Sequence, residues 1–257
     1  MAPDPAELLS LAVTAATAAG ELLLAGVDDV RTTVETKSSG TDMVTEMDRA
    51  SERLIVEHLR AARPDDGFLG EEGTSDAGTS GVRWVVDPLD GTTNYLYGFP
   101  SWCVSIAAEI DGRPGIGVVF DPTHDETWTA IAGGGSARNG KPLRVVGAAD
   151  LSTALIGTGF SYDASVRATQ GARVAKVLPL VRDIRRGGSA ASDLCWVAAG
   201  RLDAHFEIGL APWDWAAGSL VASEAGATVA RLDDNTFVAA PPHLFAPLVA
   251  LLADSST

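Results

Sequence analysis

The chain has 257 residues, 46% of them apolar and 21% charged, enough to bury a large core as one α/β unit or two coupled halves. Its formal net charge of −15 excludes the broad basic surface that non-specific nucleic-acid binding needs. The two cysteines, Cys103 and Cys195, show no CxxC spacing and sit in apolar surroundings, which predicts free, buried thiols in a reducing compartment.

The N-terminus carries no early basic residue, and Asp4 and Glu7 precede its Ala/Leu stretch, so a signal peptide is not expected. The stretch from Leu8 to Gly26 is alanine-rich and interrupted by Glu21 and two glycines, which argues against a membrane span and for a cytoplasmic protein. A first helix starts near Pro5, with Asp4 as its cap and Glu7 completing a capping-box pattern. A second is predicted from Thr45 to about Ala62. Thr45 is its candidate N-cap, Met47, Ala50, Leu54 and His58 form the recurring face, and Pro64 is the stop. Trp84 to Val86 reads as a buried strand ending in Asp87. Cys103 to Ile110 and Ile116 to Phe120 read as a pair around Asp111-Gly112, and Thr127 to Ile131 opens a further hairpin. Asn139-Gly140 is a tight-turn signal. Leu155 to Gly157 opens a second half, followed by a helix over Gln170 to Val181 and another over Ser189 to Ala199. A short strand over Asp203 to Phe206 and a helix of small residues over Asp214 to Ala225, ended by Gly226, complete the reading. Mixed helix and strand throughout predicts a layered α/β or α+β architecture.

The chemistry concentrates in Asp87-Pro88-Leu89-Asp90-Gly91-Thr92. An apolar strand delivers two carboxylates three residues apart into a stiffened turn, and Gly91 permits an unusual backbone angle. Two acids held this close repel each other unless a divalent cation sits between them. Taken alone, DPxD also fits a capped turn. Three other segments accompany it: Gly70-Glu71-Glu72-Gly73 after Phe68-Leu69, Asp214 between Trp213 and Trp215 at a helix start, and Lys37 to Asp48 with its Ser, Thr and Asp residues. Few histidines and many carboxylates suit hard Mg²⁺ better than Zn²⁺. His58, His124, His205 and His243 form no ligand-spaced cluster, and no Ser or Cys sits in a nucleophile motif.

Together GEE, DPLDGTTN with the following GFP, and WD with a downstream EAG resemble the inositol monophosphatase family. Lys37-Ser38-Ser39, Thr41-Asp42 and Thr45 to Asp48 resemble its N-terminal motif. Gly187 to Asp193 and Asp203 to Glu207 resemble its substrate-side segments. The resemblance implies an α+β fold, a layered α-β-α-β-α sandwich forming a single phosphatase unit over 1–257. Its halves are 1–150, carrying most of the metal site, and 151–257, completing it. It implies one Mg²⁺ on Glu71, Asp87 and the carbonyl of Leu89, a second on Asp87, Asp90 and Asp214, and a third held by Glu71 largely through water. Asp48 and Thr92 would be a hydrogen-bonded pair acting with Glu71 on the attacking water. The amides of Gly91 and Thr92 would hold phosphate oxygens, and Ser189, Ala190, Asp193 and Glu207 would face the rest of the substrate. Lys37 and Arg186 are further candidates for the anion.

The implied substrate is a small phosphorylated polyol, myo-inositol 1-phosphate first, because Thr93-Asn94-Tyr95 resembles the version found in inositol monophosphatases. Histidinol phosphate, an amino-alcohol ester, and other sugar phosphates are the alternatives, since Asp193 also suits an amine. The resemblance further implies Li⁺ sensitivity and a homodimer, with no nucleic-acid or membrane partner. A non-catalytic regulatory protein associated with RNA or polymerase is the alternative from another class.

Overall fold

The structure is a computed structural model that describes residues 3–34 and 40–254, without the side chains of 28–34, 40–45 and 254. Two long helices open it, α1 (Pro5–Val34) and α2 (Gly40–Ala62). Eight strands follow: β1 (Gly67–Gly70), β2 (Ser75–Asp76), β3 (Val82–Asp90), β4 (Cys103–Ile110), β5 (Arg113–Asp121), β6 (Glu126–Ile131), β7 (Gly135–Arg138) and β8 (Lys141–Pro142). They form one sheet in the order β2-β1-β3-β4-β5-β6-β7-β8, antiparallel except where β1 lies parallel to β3. The short helix α3 (Thr92–Tyr97) interrupts the run between β3 and β4.

A second, five-stranded sheet has the order β10-β9-β11-β13-β12, from β9 (Leu155–Thr158), β10 (Asp183–Arg185), β11 (Ala204–Ile208), β12 (Thr228–Arg231) and β13 (Thr236–Ala240). The helices among and after these strands are α4 (Ala164–Val177), α5 (Ala190–Ala198), α6 (Pro212–Glu224) and α7 (Pro242–Asp254).

Strand alternation sorts the sheet residues into layers. Val82, Trp84 and Val86 of β3, with Val104, Ile106 and Ala108 of β4, face α1 and α2 in one core. Val85, Cys103 and Ala107 point the other way, against Ala191 and Cys195 of α5 and Ala217 and Val221 of α6. On the far side of the second sheet, Ile156, Phe206 and Val238 pack on Leu244, Leu248 and Leu252 of α7 and Val177 of α4. The result is the layered α-β-α-β-α sandwich expected from the sequence. The stretch Pro5–Val27 is long and apolar enough to cross a membrane. In the fold its Leu8, Ala12, Ala15, Ala16, Ala19 and Leu23 are fully buried against the first sheet.

Several local expectations shift. Helix α2 begins at Gly40, so Thr45 lies inside it and is not its cap. Its buried side carries Asp48, Ser51, Glu52, Ile55, Val56 and Leu59, while His58 is exposed. The buried face lies about one residue round from the one through Met47, Ala50, Leu54 and His58, because it includes the polar Asp48, Ser51 and Glu52. Helix α4 starts six residues before Gln170, capped by Asp163, whose side chain accepts from the Ser165 amide at 2.7 Å. It stops at Val177, and a 3₁₀ turn carries the chain on to Leu180. Strands β12 and β13 and helix α7, all beyond Gly226, have no counterpart in the sequence reading. The Asn139-Gly140 turn is as expected: both residues have positive φ, 48° and 71°, and join β7 to β8.

Candidate active site

Strand β3 does not end at Asp87 but runs on to Asp90, with a register shift between them. Asp87 pairs with Ser105 and Asp90 with Cys103, so three steps along β3 match two along β4. In a regular strand, residues three apart face opposite sides; the extra residue turns both carboxylates to one side. Pro88, with no N–H to give the ladder, sits in this bulge. Gly91 then adopts φ 99°, where any L side chain is strained, and a Cβ there would lie 2.9 Å from the Ser101 carbonyl oxygen. The turn ends in α3, whose Asn94 donates to the carbonyls of Ser101 (2.6 Å) and Gly187 (2.8 Å) and so ties the two halves together.

A pocket of about 120 Å³ opens here, lined among others by Glu71, Asp87, Leu89, Asp90, Glu207 and Asp214. Glu71 reaches it from the turn after β1, and Asp214 from the first turn of α6. Asp214 Oδ2 accepts from the Ala211 amide at 2.7 Å. Asp90 Oδ2 accepts from the Ser189 hydroxyl and the Ala191 amide, both at 2.7 Å. Asp87 Oδ1 accepts from the Leu89 amide at 3.0 Å.

These acids burden one another. Burial pushes the Asp87 carboxyl well above the usual range, and Glu71, Asp90 and Asp214 push it further. Burial and Asp214 raise Asp90, against the hydrogen bonds from Ser189 and Ala191. Asp214 is pushed up to about 7, by burial first, with Glu71 and Glu207 adding to it. Asp48 is pushed up to about 8 by burial and then by Glu71, Glu72 and Glu52. It is 4% exposed, and among the described residues its Oδ1 has no hydrogen-bond partner. Glu71 and Asp87 act on each other's carboxyls, and two neighbouring carboxylates are stabilised by a shared proton or cation.

This donor set, all hard oxygen with the Leu89 carbonyl beside it, fits Mg²⁺. Among the described residues, however, no three acids converge into a ready-made ion cage. One oxygen each of Asp90 and Asp214 is instead committed to protein donors.

The sequence-predicted residues divide on their placement. Gly91, Thr92, Ala190, Arg186 and Glu207 line the pocket. Arg186 is exposed at its edge. Ser189, expected against substrate, is buried: its hydroxyl donates to Asp90 and caps α5 by accepting from the Ser192 amide. Asp193, expected to meet a substrate hydroxyl or amine, is 1% exposed and lies behind the wall. Its placement on the inward face of α5 puts it against His205 of β11. The expected Asp48–Thr92 hydrogen bond is not made, because the Thr92 hydroxyl donates to the Leu89 carbonyl at 3.2 Å. Lys37 lies outside the described residues.

Glu52, Asn94 and His205 were missed. Glu52 follows Asp48 by one helical turn, so two acids four apart on one helix face were the available signal.

The inositol monophosphatase family model matches residues 4–253. The chain is 48% identical over 205 residues to inositol-1-monophosphatase SuhB of Mycobacterium tuberculosis (strain H37Rv), covering 76% of this chain and 71% of that protein. It is 41% identical over 244 residues to Nus factor SuhB of Pasteurella multocida (strain Pm70), covering 93% and 90%. The solved structure of Mycobacterium tuberculosis SuhB superposes with a TM-score of 0.87 at 41% identity, covering 98% of both chains. The inositol monophosphatase from Anabaena superposes at 0.83 with 34% identity, over 96% of both. A match that spans the Asp87–Thr92 turn, the acidic pocket and both sheets makes this chain a member of the inositol monophosphatase family.

Proposed function

We propose that the chain is a Mg²⁺-dependent phosphatase that hydrolyses a small polyol phosphate monoester, with myo-inositol 1-phosphate as its preferred substrate. The observation that carries this reading is the gathering of Glu71, Asp87, Asp90 and Asp214 around one small pocket. None of the four has an ion pair to Lys or Arg among the described residues, so the negative charge calls for a cation. Glu71, Asp87 and the Leu89 carbonyl would hold one ion, Asp87, Asp90 and Asp214 a second, and Glu71 a third. When bound, Mg²⁺ supplies Lewis-acid polarisation of the phosphoryl oxygens and of water.

The chain's own residues do the rest. Asp48, with its unpartnered Oδ1, and the Thr92 hydroxyl orient the attacking water and take its proton. The amides of Gly91 and Thr92 receive phosphate oxygens. Glu207, in the pocket wall, accepts hydrogen bonds from vicinal hydroxyls, which favours a polyol over a simple alcohol. Arg186 supplies positive charge at the rim. The working form proposed is a cytoplasmic homodimer.

The test is phosphate release with Mg²⁺ from myo-inositol 1-phosphate, histidinol phosphate, fructose 1,6-bisphosphate and 3′-phosphoadenosine 5′-phosphate. The inositol ester should give the highest kcat/KM. A higher value for histidinol phosphate would move the substrate, and release from none of them would end the phosphatase reading. Millimolar Li⁺ should inhibit turnover of the best substrate, and a Mg²⁺-activated enzyme indifferent to Li⁺ would count against an inositol phosphatase.

The name Nus factor borne by some relatives favours a second reading, a regulatory protein of transcription. Stable binding to RNA or RNA polymerase without Mg²⁺-dependent phosphate release would establish it. The −15 net charge weighs against direct contact with RNA.

A further inference from the structure

Behind the Glu207 wall lies a buried cluster that the proposed reaction does not use. His205 and Glu207 are two apart on β11 and so share a face. His205 is 0% exposed, and its Nε2 stands 3.5 Å from Glu207 Oε2. On its other side Nδ1 stands 3.4 Å from Asp193 Oδ2 of α5. Both distances are ion-pair contacts rather than full hydrogen bonds, and among the described residues both ring nitrogens and Asp193 Oδ1 lack hydrogen-bond partners.

The backbone around the cluster makes room for it. A Cβ on Gly159 would collide with the Glu207 carboxylate, and one on Gly187 with Asp193 Oδ1. The second sheet and α5 thus leave space for these three side chains where ordinary residues would fill it. A buried imidazole with nothing to bind is costly. One between two carboxylates, a single one of which reaches the pocket, has a directional use.

We propose that His205 is a positioning residue for the substrate-hydroxyl wall: it bridges Asp193 to Glu207 and holds the Glu207 carboxylate toward the pocket. The inference rests on the polyol-phosphatase reading, in which Glu207 accepts hydroxyls. The electrostatics agree. Burial alone lowers the His205 value, but Asp193 and Glu207 outweigh it and push it up to about 9, so both nitrogens carry protons at neutral pH. The charged groups facing the ring are Asp193 from α5 and Glu207 from its own strand, with Arg186 acting on Asp193 from the loop before α5.

The experiment uses the full chain with Mg²⁺ and two esters, myo-inositol 1-phosphate and p-nitrophenyl phosphate, which has no hydroxyls for Glu207. In His205→Gln, KM for the inositol ester should rise about tenfold, the effect of weakening one charged hydrogen bond, while KM for the aryl ester moves less than about twofold. In a Glu207→Gln background the same substitution should add nothing. Equal loss on both esters, or full loss in the Glu207→Gln background, overturns the proposal.

A second readout needs no turnover and no stable His205 variant. By NMR the His205 ring should stay protonated to about pH 9 in the wild type, and titrate nearer the ordinary imidazole range in Glu207→Gln. A ring that titrates in that range in both proteins overturns the bridge. Absence of turnover on either ester in the wild type overturns the phosphatase reading instead.

Discussion

Asp90→Asn will leave the protein folded and lower kcat/KM about 100-fold or more at ordinary Mg²⁺, a loss of roughly 2.7 kcal/mol of transition-state stabilisation. The substitution preserves volume. The amide oxygen of Asn can still accept from the Ser189 hydroxyl and the Ala191 amide, the two bonds that tie β3 to the start of α5. What disappears is one negative charge in a pocket shared with Asp87 and Asp214. Without metal, that removal relieves repulsion, so the melting temperature in EDTA should stay level or rise. With metal the order reverses. Saturating Mg²⁺ at about 100 times its Kd stabilises the wild type by roughly 2.7 kcal/mol, a shift of about 5–10 °C for a chain of this size. In Asp90→Asn that shift should nearly vanish. Calorimetric melts with and without Mg²⁺, beside initial rates of phosphate release, check both halves. Near wild-type turnover, or an unchanged Mg²⁺ shift, would remove Asp90 from the site.

The acids themselves were legible because their types and spacing are chemical, whereas the devices that aim them are geometric. The spacing of Asp87 and Asp90 suggested a metal turn, but a strand period of two puts residues three apart on opposite faces. Only pairing with β4 reveals the bulge that brings them together. The buried face of helix α2 escapes the sequence pattern for a related reason. Hydrophobic periodicity finds the face that seeks apolar company, yet the buried stripe of α2 opens with Asp48, Ser51 and Glu52 before reaching Ile55 and Leu59. A site that buries polar groups breaks the pattern used to find helices. Ser189 and Asp193 show the limit of carrying roles along a motif. The segment Gly187 to Asp193 lies at the pocket as expected, but Ser189 is spent on capping α5 and holding Asp90, and Asp193 faces inward to His205. Side-chain direction at a helix start depends on the cap, and the Ser189 cap is visible only once its acceptor role is.

Glu52→Ala should be the most damaging single change outside the pocket lining. Glu52 is 4% exposed, and it grips the turn that carries Glu71. Its Oε2 accepts from the Glu72 amide at 2.9 Å, and its Oε1 accepts from the Thr74 amide at 3.0 Å and the Thr74 hydroxyl at 2.6 Å. Gly70 has no side chain where a Cβ would strike the Glu52 carboxylate, so the turn and the acid fit only together. Alanine would strand three donors and leave a void, a cost of about 3 kcal/mol and a melting temperature lower by about 10 °C. It would also release Glu71, so the Mg²⁺ concentration for half-maximal activity should rise severalfold. Glu52→Gln separates structure from charge. Its single amide oxygen can keep one or two of the three bonds, and it removes one of the acids that raise Asp48. If Glu52 acts through the turn, the glutamine variant should recover most of the melting temperature and part of the Mg²⁺ response. If it acted only as a negative charge near Asp48, alanine and glutamine would behave alike in both measurements. Identical Mg²⁺ titrations for wild type and Glu52→Ala would mean that Glu71 is held by something other than this grip.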